Sequence, residues 1–184
     1  MIVPAKKQEN FIIANLIINA IGSIANDITG EDKKDEVLKA LNEYINMDVN
    51  RFSHKNIYIY EYENEIAGLI LGYASSRVDE LDKPIIDNLA SKNIFVDSFE
   101  KKSFDDEFYI NTVSVLEKYQ GRGFAKELFA FIEKKAKDLG FKKVSLIVAL
   151  KNEKALKLYE KIGFKKNIII EVSKHKYHHM IKML

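Results

Sequence analysis

Val113-Ser114-Val115-Leu116-Glu117-Lys118-Tyr119-Gln120-Gly121-Arg122-Gly123-Phe124-Ala125 opens as a strand and closes as the first turn of a helix. Ile110, Thr112, Val113 and Val115 are apolar or β-branched, which suits a pleated and mostly buried segment. From Phe124 onward, Leu128, Phe131, Ile132, Ala136 and Leu139 recur at helical spacing and give one apolar face. Between strand and helix sit Gly121 and Gly123, which permit a sharp turn and a close ligand approach. The amides that open a helix lack internal partners and lie at the positive end of its dipole, so the junction is suited to a phosphate or pyrophosphate.

The residues around the glycines narrow the ligand. A nucleotide P-loop would place Gly-Lys-Ser/Thr where Gly123-Phe124-Ala125 stands, and a dinucleotide loop would have a third glycine where Lys126 stands. Gln120-Gly121-Arg122-Gly123-Phe124-Ala125 instead resembles the acetyl-CoA signature of the GCN5-related N-acetyltransferase (GNAT) family, Gln/Arg-x-x-Gly-x-Gly/Ala. Further along, Asn152, Ala155, Tyr159, Gly163 and Phe164 resemble the family's C-terminal pattern Asn-x-x-Ala-x-x-x-Tyr-x-x-x-Gly-Phe. One helix and one strand separate the two blocks, as in the family. The detailed resemblance covers residues 110–164; the N-terminal half agrees in element order alone.

The chain has 184 residues, 47% hydrophobic and 30% charged, with a formal net charge of +2. That length can bury the core of one domain, and the charge balance gives no sign of disorder, nucleic-acid binding or a membrane partner. Cys is absent, which removes disulfides, thiolate metal sites and a cysteinyl acyl-enzyme, and which fits a reducing, cytoplasmic setting. No metal-ligand spacing is present. Lys6 and Lys7 precede an apolar run, but Asn15, Asn19, Ser23 and Asn26 form a polar stripe through it, so the run reads as an amphipathic helix rather than a signal peptide or membrane span.

Outward from the central stretch, residues 2–5 read as an edge strand, 9–26 as the amphipathic helix, broken at Thr29-Gly30, and 32–47 as a second helix. Residues 56–63 and 66–74 read as a β-hairpin turning at Asn64-Glu65, with Gly68 and Gly72 marking a bulge or a close neighbour. Residues 75–106 carry eight acidic and five basic side chains and Pro84. They read as a solvated insertion with a short helix over 85–89 and a partial strand at 94–95, or as an acidic wall favouring a cationic amine. A strand over 144–149, a helix over 152–162 stopped by Gly163, and an antiparallel pair over 164–172 and 177–184 complete the chain. The expected fold class is α/β (α+β), one domain over 1–184 with an insertion at about 75–106. The resemblance implies a mixed, mostly antiparallel sheet flanked by helices on both faces, whose strands around 109–116 and 144–149 splay to admit CoA.

The resemblance also implies roles. The amides of Gly121 to Ala125 would hold the pyrophosphate of acetyl-CoA, with Arg122 and Lys126 adding charge. Val113 and Val115 would pair with the pantetheine arm as a neighbouring strand would, and the Val115 N–H would face the thioester oxygen. Asn152 would cap its helix and bond the pantetheine, with Ala155 beside it. Tyr159 would protonate the leaving thiolate, although its spacing with Ala155, Leu158 and Ile162 also suits a core position. Many family members use a Glu on the central strand as base; Asn111 stands there in this alignment. Glu107, Asp106, a water chain, His178 or His179 are the remaining candidates. The implied activity is direct transfer of acetyl from acetyl-CoA to a small-molecule or peptide amine. The alternatives are a non-catalytic acyl-CoA-binding regulatory module and, more distantly, a variant P-loop protein. The acceptor and a homodimer stay open.

Overall fold

A computed structural model describes residues 1–7 and 11–184. Its strands are β1 (Ile2–Pro4), β2 (Ile57–Tyr62), β3 (Glu65–Ala74), β4 (Phe108–Val115), β5 (Lys143–Ala149), β6 (Lys165–Val172) and β7 (His175–Met183). They form one sheet in the order β1-β2-β3-β4-β5-β7-β6, antiparallel except where β4 meets β5. Helices α1 (Phe11–Ile21), α2 (Ile24–Thr29), α3 (Lys34–Asn46) and α4 (Val78–Ser91) contribute to a core on one face, with Ile13, Leu16, Leu41, Ile45, Ile85 and Leu89 all fully buried. Helix α5 (Phe124–Asp138) covers the other face through Leu128, Phe129, Ile132 and Ala136, beside α6 (Glu153–Lys161). The hairpin alternation explains this layering. Ile57 and Ile59 pack on the first face while Tyr58 and Tyr60 pack on the second, so both sides of β2 are covered.

Several boundaries differ from the sequence reading. The amphipathic helix expected over 9–26 has its start outside the described residues, and it is two helices: Gly22 adopts φ +58 and ends α1 before α2 begins, while Gly30, at φ +67, caps α2. The hairpin turns at Glu63-Asn64, one residue earlier than expected, because both residues take the positive φ that a two-residue loop needs. On α5, Leu128, Ile132 and Ala136 are buried as expected, whereas Phe129 rather than Phe131 completes the stripe and Leu139 is exposed.

The largest difference lies in 75–106. No strand forms at 94–95, and the helix there is α4, fourteen residues long with Pro84 inside it. Leu81, Ile85 and Leu89 recur every four residues and are buried against the core. A proline in a helix interior costs about 3 kcal/mol. Burying three leucine or isoleucine side chains contributes about 1.5–3 kcal/mol each, which exceeds it.

Two local features shape the centre of the sheet. Gly68 and Gly72 admit β4 closely: a Cβ at Gly68 would sit 2.7 Å from the Ser114 carbonyl oxygen, and one at Gly72 would sit 2.6 Å from the Phe108 ring. The β3–β4 register shifts between Leu71, opposite Thr112, and Gly72, opposite Ile110, so Asn111 is an extra residue in β4. This bulge flips the side-chain alternation, and Phe108 and Ile110 therefore share a face with Val113 and Val115. On its other side β4 pairs with β5 only at Phe108–Val144 and Tyr109–Ser145, and beyond Tyr109 the strands part.

Candidate functional site

The parted strands bound an open cleft of about 770 Å³. Asn111, Val113 and Val115 line one wall and Ile147, Val148 and Ala149 the other. Asn19, Ile21 and Ile24 of α1 and α2 close one end, on the face of the sheet they share with Tyr109. Gln120, Asn152, Ala155 and Tyr159 line the opposite end, on the α5 side. The edge of β4 is available to a ligand. Leu116 N–H donates to the Ala67 carbonyl on β3, so alternation turns the backbone groups of Val115 and Val113 away from β3 and into the gap. The Val115 carbonyl accepts a bond from Gln120 Nε2 at 3.1 Å, which leaves its N–H for a ligand and ties the strand to the loop that follows.

That loop has the geometry of an anion cradle. Gly121 and Gly123 take φ of +79 and +89, and a Cβ at either would meet nothing within 4 Å. Among the described residues, no protein acceptor bonds the N–H groups of Gly121, Arg122, Gly123, Phe124 or Ala125. The first bonded amides are those of Lys126 and Glu127, which donate to the Gly123 carbonyl at 2.9 and 3.2 Å. The Phe124 ring lies inward, stacked on Tyr60 at 4.2 Å between centroids, so only its backbone can serve a ligand. Arg122 is folded over the Tyr62 and Tyr119 rings at 5.6 and 5.4 Å, and Lys126 is exposed. These residues continue from Gln120 beyond the lining of the cleft.

Tyr159 reaches the cleft from α6 while its ring edge packs on Phe129, 5.7 Å between centroids. Burial raises its pKa, so the phenol keeps its proton at neutral pH. Among the described residues its hydroxyl has no hydrogen-bond partner. Asn152 Oδ1 caps α6 by accepting from Ala155 N–H at 3.1 Å, and Gly163, at φ +102, ends the following turn. The Tyr159 that periodicity could assign to the core and the Tyr159 that the motif assigns to a site are thus the same half-buried side chain.

The candidate bases lie elsewhere. Glu107 is fully buried and is absent from the cleft lining: its Oε2 accepts from His179 Nε2–H at 2.9 Å and from the Phe104 amide at 3.1 Å. Burial acts to raise its pKa, but the bonds from His179 and the Phe104 amide outweigh it and the net shift is downward. It is a positioned structural carboxylate that joins β4 to β7. His178 also lies outside the lining, and Asp106 is exposed and paired with Lys143 at 2.9 Å. Asn111 does face the cleft, with both ends of its amide engaged: Nδ2 donates to Tyr73 Oη at 3.1 Å and Oδ1 accepts from Thr112 Oγ1 at 2.9 Å. From 75–106, the side chain that reaches the cleft is Lys102 rather than any of the acidic ones. Sequence reasoning missed Lys102, Asn19 and Tyr177 as cleft residues, because each reaches it from an element with no motif.

With strand splay, bare loop amides and tyrosine disposed in this way, likeness to known proteins can be weighed against geometry. The model of the acetyltransferase (GNAT) family matches residues 18–164. The chain belongs to this family. A crystal structure of an N-acetyltransferase from Staphylococcus aureus Mu50 superposes with a TM-score of 0.81 at 31% identity, over 98% of this chain and 99% of that one. A second acetyltransferase crystal structure gives 0.82 at 28% identity over 100% and 98%. An uncharacterized N-acetyltransferase, YycN of Bacillus subtilis, is 36% identical over 64 residues, which is 35% of this chain and 41% of that protein. The GNAT match extends beyond the motif-bearing half into α1 and the hairpin. Among the described residues, no helix is long and apolar enough to cross a membrane, and no group of three His, Cys, Asp or Glu could hold a metal.

Proposed function

We propose that the protein transfers acetyl from acetyl-CoA to a primary amine in a single ternary complex. The observation that carries the reading is the unpaired amide run Gly121–Ala125 at the start of α5, continuous through Gln120 with the open β4 edge. The diphosphate would lie on those amides and the pantetheine would follow β4 as an added strand. The thioester would then fall between the Val115 N–H and Tyr159. The amine nitrogen attacks the thioester carbonyl carbon, and the Val115 N–H stabilises the oxyanion; such a donor is worth about 3 kcal/mol. The C–S bond breaks, the thiolate takes the Tyr159 proton, and the nitrogen loses its proton to water in the open cleft. With no Cys in the chain, no cysteinyl acyl-enzyme forms.

A non-catalytic acyl-CoA-binding role is the second reading, favoured by Asn111 and by the cleft lining, in which Glu117 is the one carboxylate among the described residues. Calorimetry with CoA, followed by thiol release from acetyl-CoA across an amine panel, separates the two. The expected result is CoA binding with amine-dependent thiol release. Binding without release on any amine supports the module, and absence of CoA binding overturns both.

A further inference from the structure

Resting on that reading, we infer that the acceptor end of the cleft selects an amine that also carries a carboxylate, and that Lys102 is the residue that reads the carboxylate. Lys102 is the one cation among the described residues lining the cleft, and it lies at the α1 end beside Tyr109. The one anion, Glu117, follows the C-terminal end of β4, whereas Lys102 precedes its N-terminal end. Among the described residues no carboxylate lies within 4.0 Å of the Lys102 Nζ. Its acidic neighbours are committed: Asp82 forms a two-point ion pair with the buried Arg51, and Glu100 accepts from the Ser173 amide at 3.3 Å. Arg51 adds like-charge repulsion.

A half-buried ammonium without an ion-pair partner, facing open space, is a site that an anion completes. Burial first, and then Arg51, lower the Lys102 pKa to about 8, partly opposed by Asp82 and Glu100. A bound carboxylate would restore the full charge. The amine has a complementary place at the same end. Asn19, Ala20 and Ile21 line the cleft as the last turn of α1, and among the described residues their carbonyls accept no hydrogen bond. These carbonyls carry the negative end of the helix dipole and can accept from an amine or ammonium. The arrangement thus reads a dipolar ligand, with the carboxylate on Lys102 and the amine between the α1 carbonyls and the thioester. A polyamine would place a second cation against Lys102 and Arg51.

The carboxylate could belong to a free amino acid or to an acidic side chain beside a peptide's N-terminus, and matched pairs distinguish them. Thiol release from acetyl-CoA is measured with free amino acids against their α-amides, with dipeptides carrying Glu against Gln at the second position, and with spermidine. The acid of at least one pair should exceed its neutral partner in kcat/KM by about tenfold or more. The pair that discriminates identifies the source. In K102Q the acid should fall to the level of its partner, while K102R, which keeps a permanent charge, should retain the preference. In the wild type the acid preference should decline as pH rises through about 8, the value at which Lys102 loses its proton, and K102R should lack that decline. CoA affinity, measured in parallel, reports that each variant is folded. Equal rates within both pairs, faster turnover of spermidine, or an acid preference that survives in K102Q would overturn the inference. Those outcomes in a protein that binds CoA and releases thiol leave the acetyltransferase reading standing. Failure to bind CoA or to release thiol overturns that reading and this one together.

Discussion

Tyr159 and Glu107 show how burial sets what a single side chain can do. Tyr159 is half-buried with a free hydroxyl, and burial pushes its pKa upward. The acid form therefore persists through and beyond the ordinary phenol range near pH 10. With a neutral acceptor at saturation, kcat should show no falling limb from Tyr159 below about pH 10, and Y159F should lower kcat by about 10²-fold or more with little change in CoA affinity, as stopped thiol-release assays and calorimetry would report. Glu107 behaves oppositely. Its pKa is lowered in the fold by its bonds to His179 and the Phe104 amide, so the stability it contributes is present above the ordinary carboxylate pKa and is lost as pH falls through the depressed one. E107Q should cost about 1–3 kcal/mol at pH 7 by urea denaturation. That difference should shrink at pH 4 and below, where the wild-type carboxylate also protonates. Neither residue's environment could be read in the sequence: Tyr159 fitted a core stripe by its spacing and a site by its motif, and His179, the partner of Glu107, is 72 positions away.

Glycines divide the elements into two kinds of dependence. At the start of α5, Gly123 is needed for its φ of +89, since a Cβ there would meet no neighbour. G123A should cost about 1–2 kcal/mol of backbone strain and, by moving the loop amides, should weaken CoA binding more than it lowers the melting temperature. Within β3, Gly68 is needed for space, since its Cβ would press on the Ser114 carbonyl oxygen at 2.7 Å and the Val115 Cα at 3.2 Å. G68A should displace β4 and lower thermal stability by about 1–3 kcal/mol, with CoA affinity falling as the strand edge shifts. Calorimetric melting and CoA titration of both variants give the contrast. Elements with strong local rules were legible: β4, α5, β5 and α6 follow from periodicity, glycine stops and the Asn152 cap. The helices α2 and α4 were not. Gly22 falls inside an otherwise continuous amphipathic pattern, and Pro84 argues locally against a helix that tertiary burial forms anyway.

For the molecule as a whole, the buried Arg51–Asp82 pair holds α4 to the chain segment ahead of β2, beside the Lys102 end of the cleft. D82N would leave the Arg51 guanidinium buried without its counter-ion and should destabilise the protein by about 3–5 kcal/mol, read from urea midpoints. It should also disturb Lys102 and Tyr73, which line a small pocket together with Arg51. By itself the amino-acid sequence determined the sheet-and-helix order from 110 to 164, the glycine turn at Gly121–Gly123 and the family, because glycine conformations, helix caps and hydrophobic periods are local consequences of neighbouring residues. Only the tertiary structure decided that β4 and β5 part beyond Tyr109, that Glu107 is locked against His179, and that Lys102 rather than the acidic side chains of its segment faces the cleft. These depend on which distant surfaces exclude water from one another. Burial and charge pairing across dozens of residues leave no periodic trace in the chain.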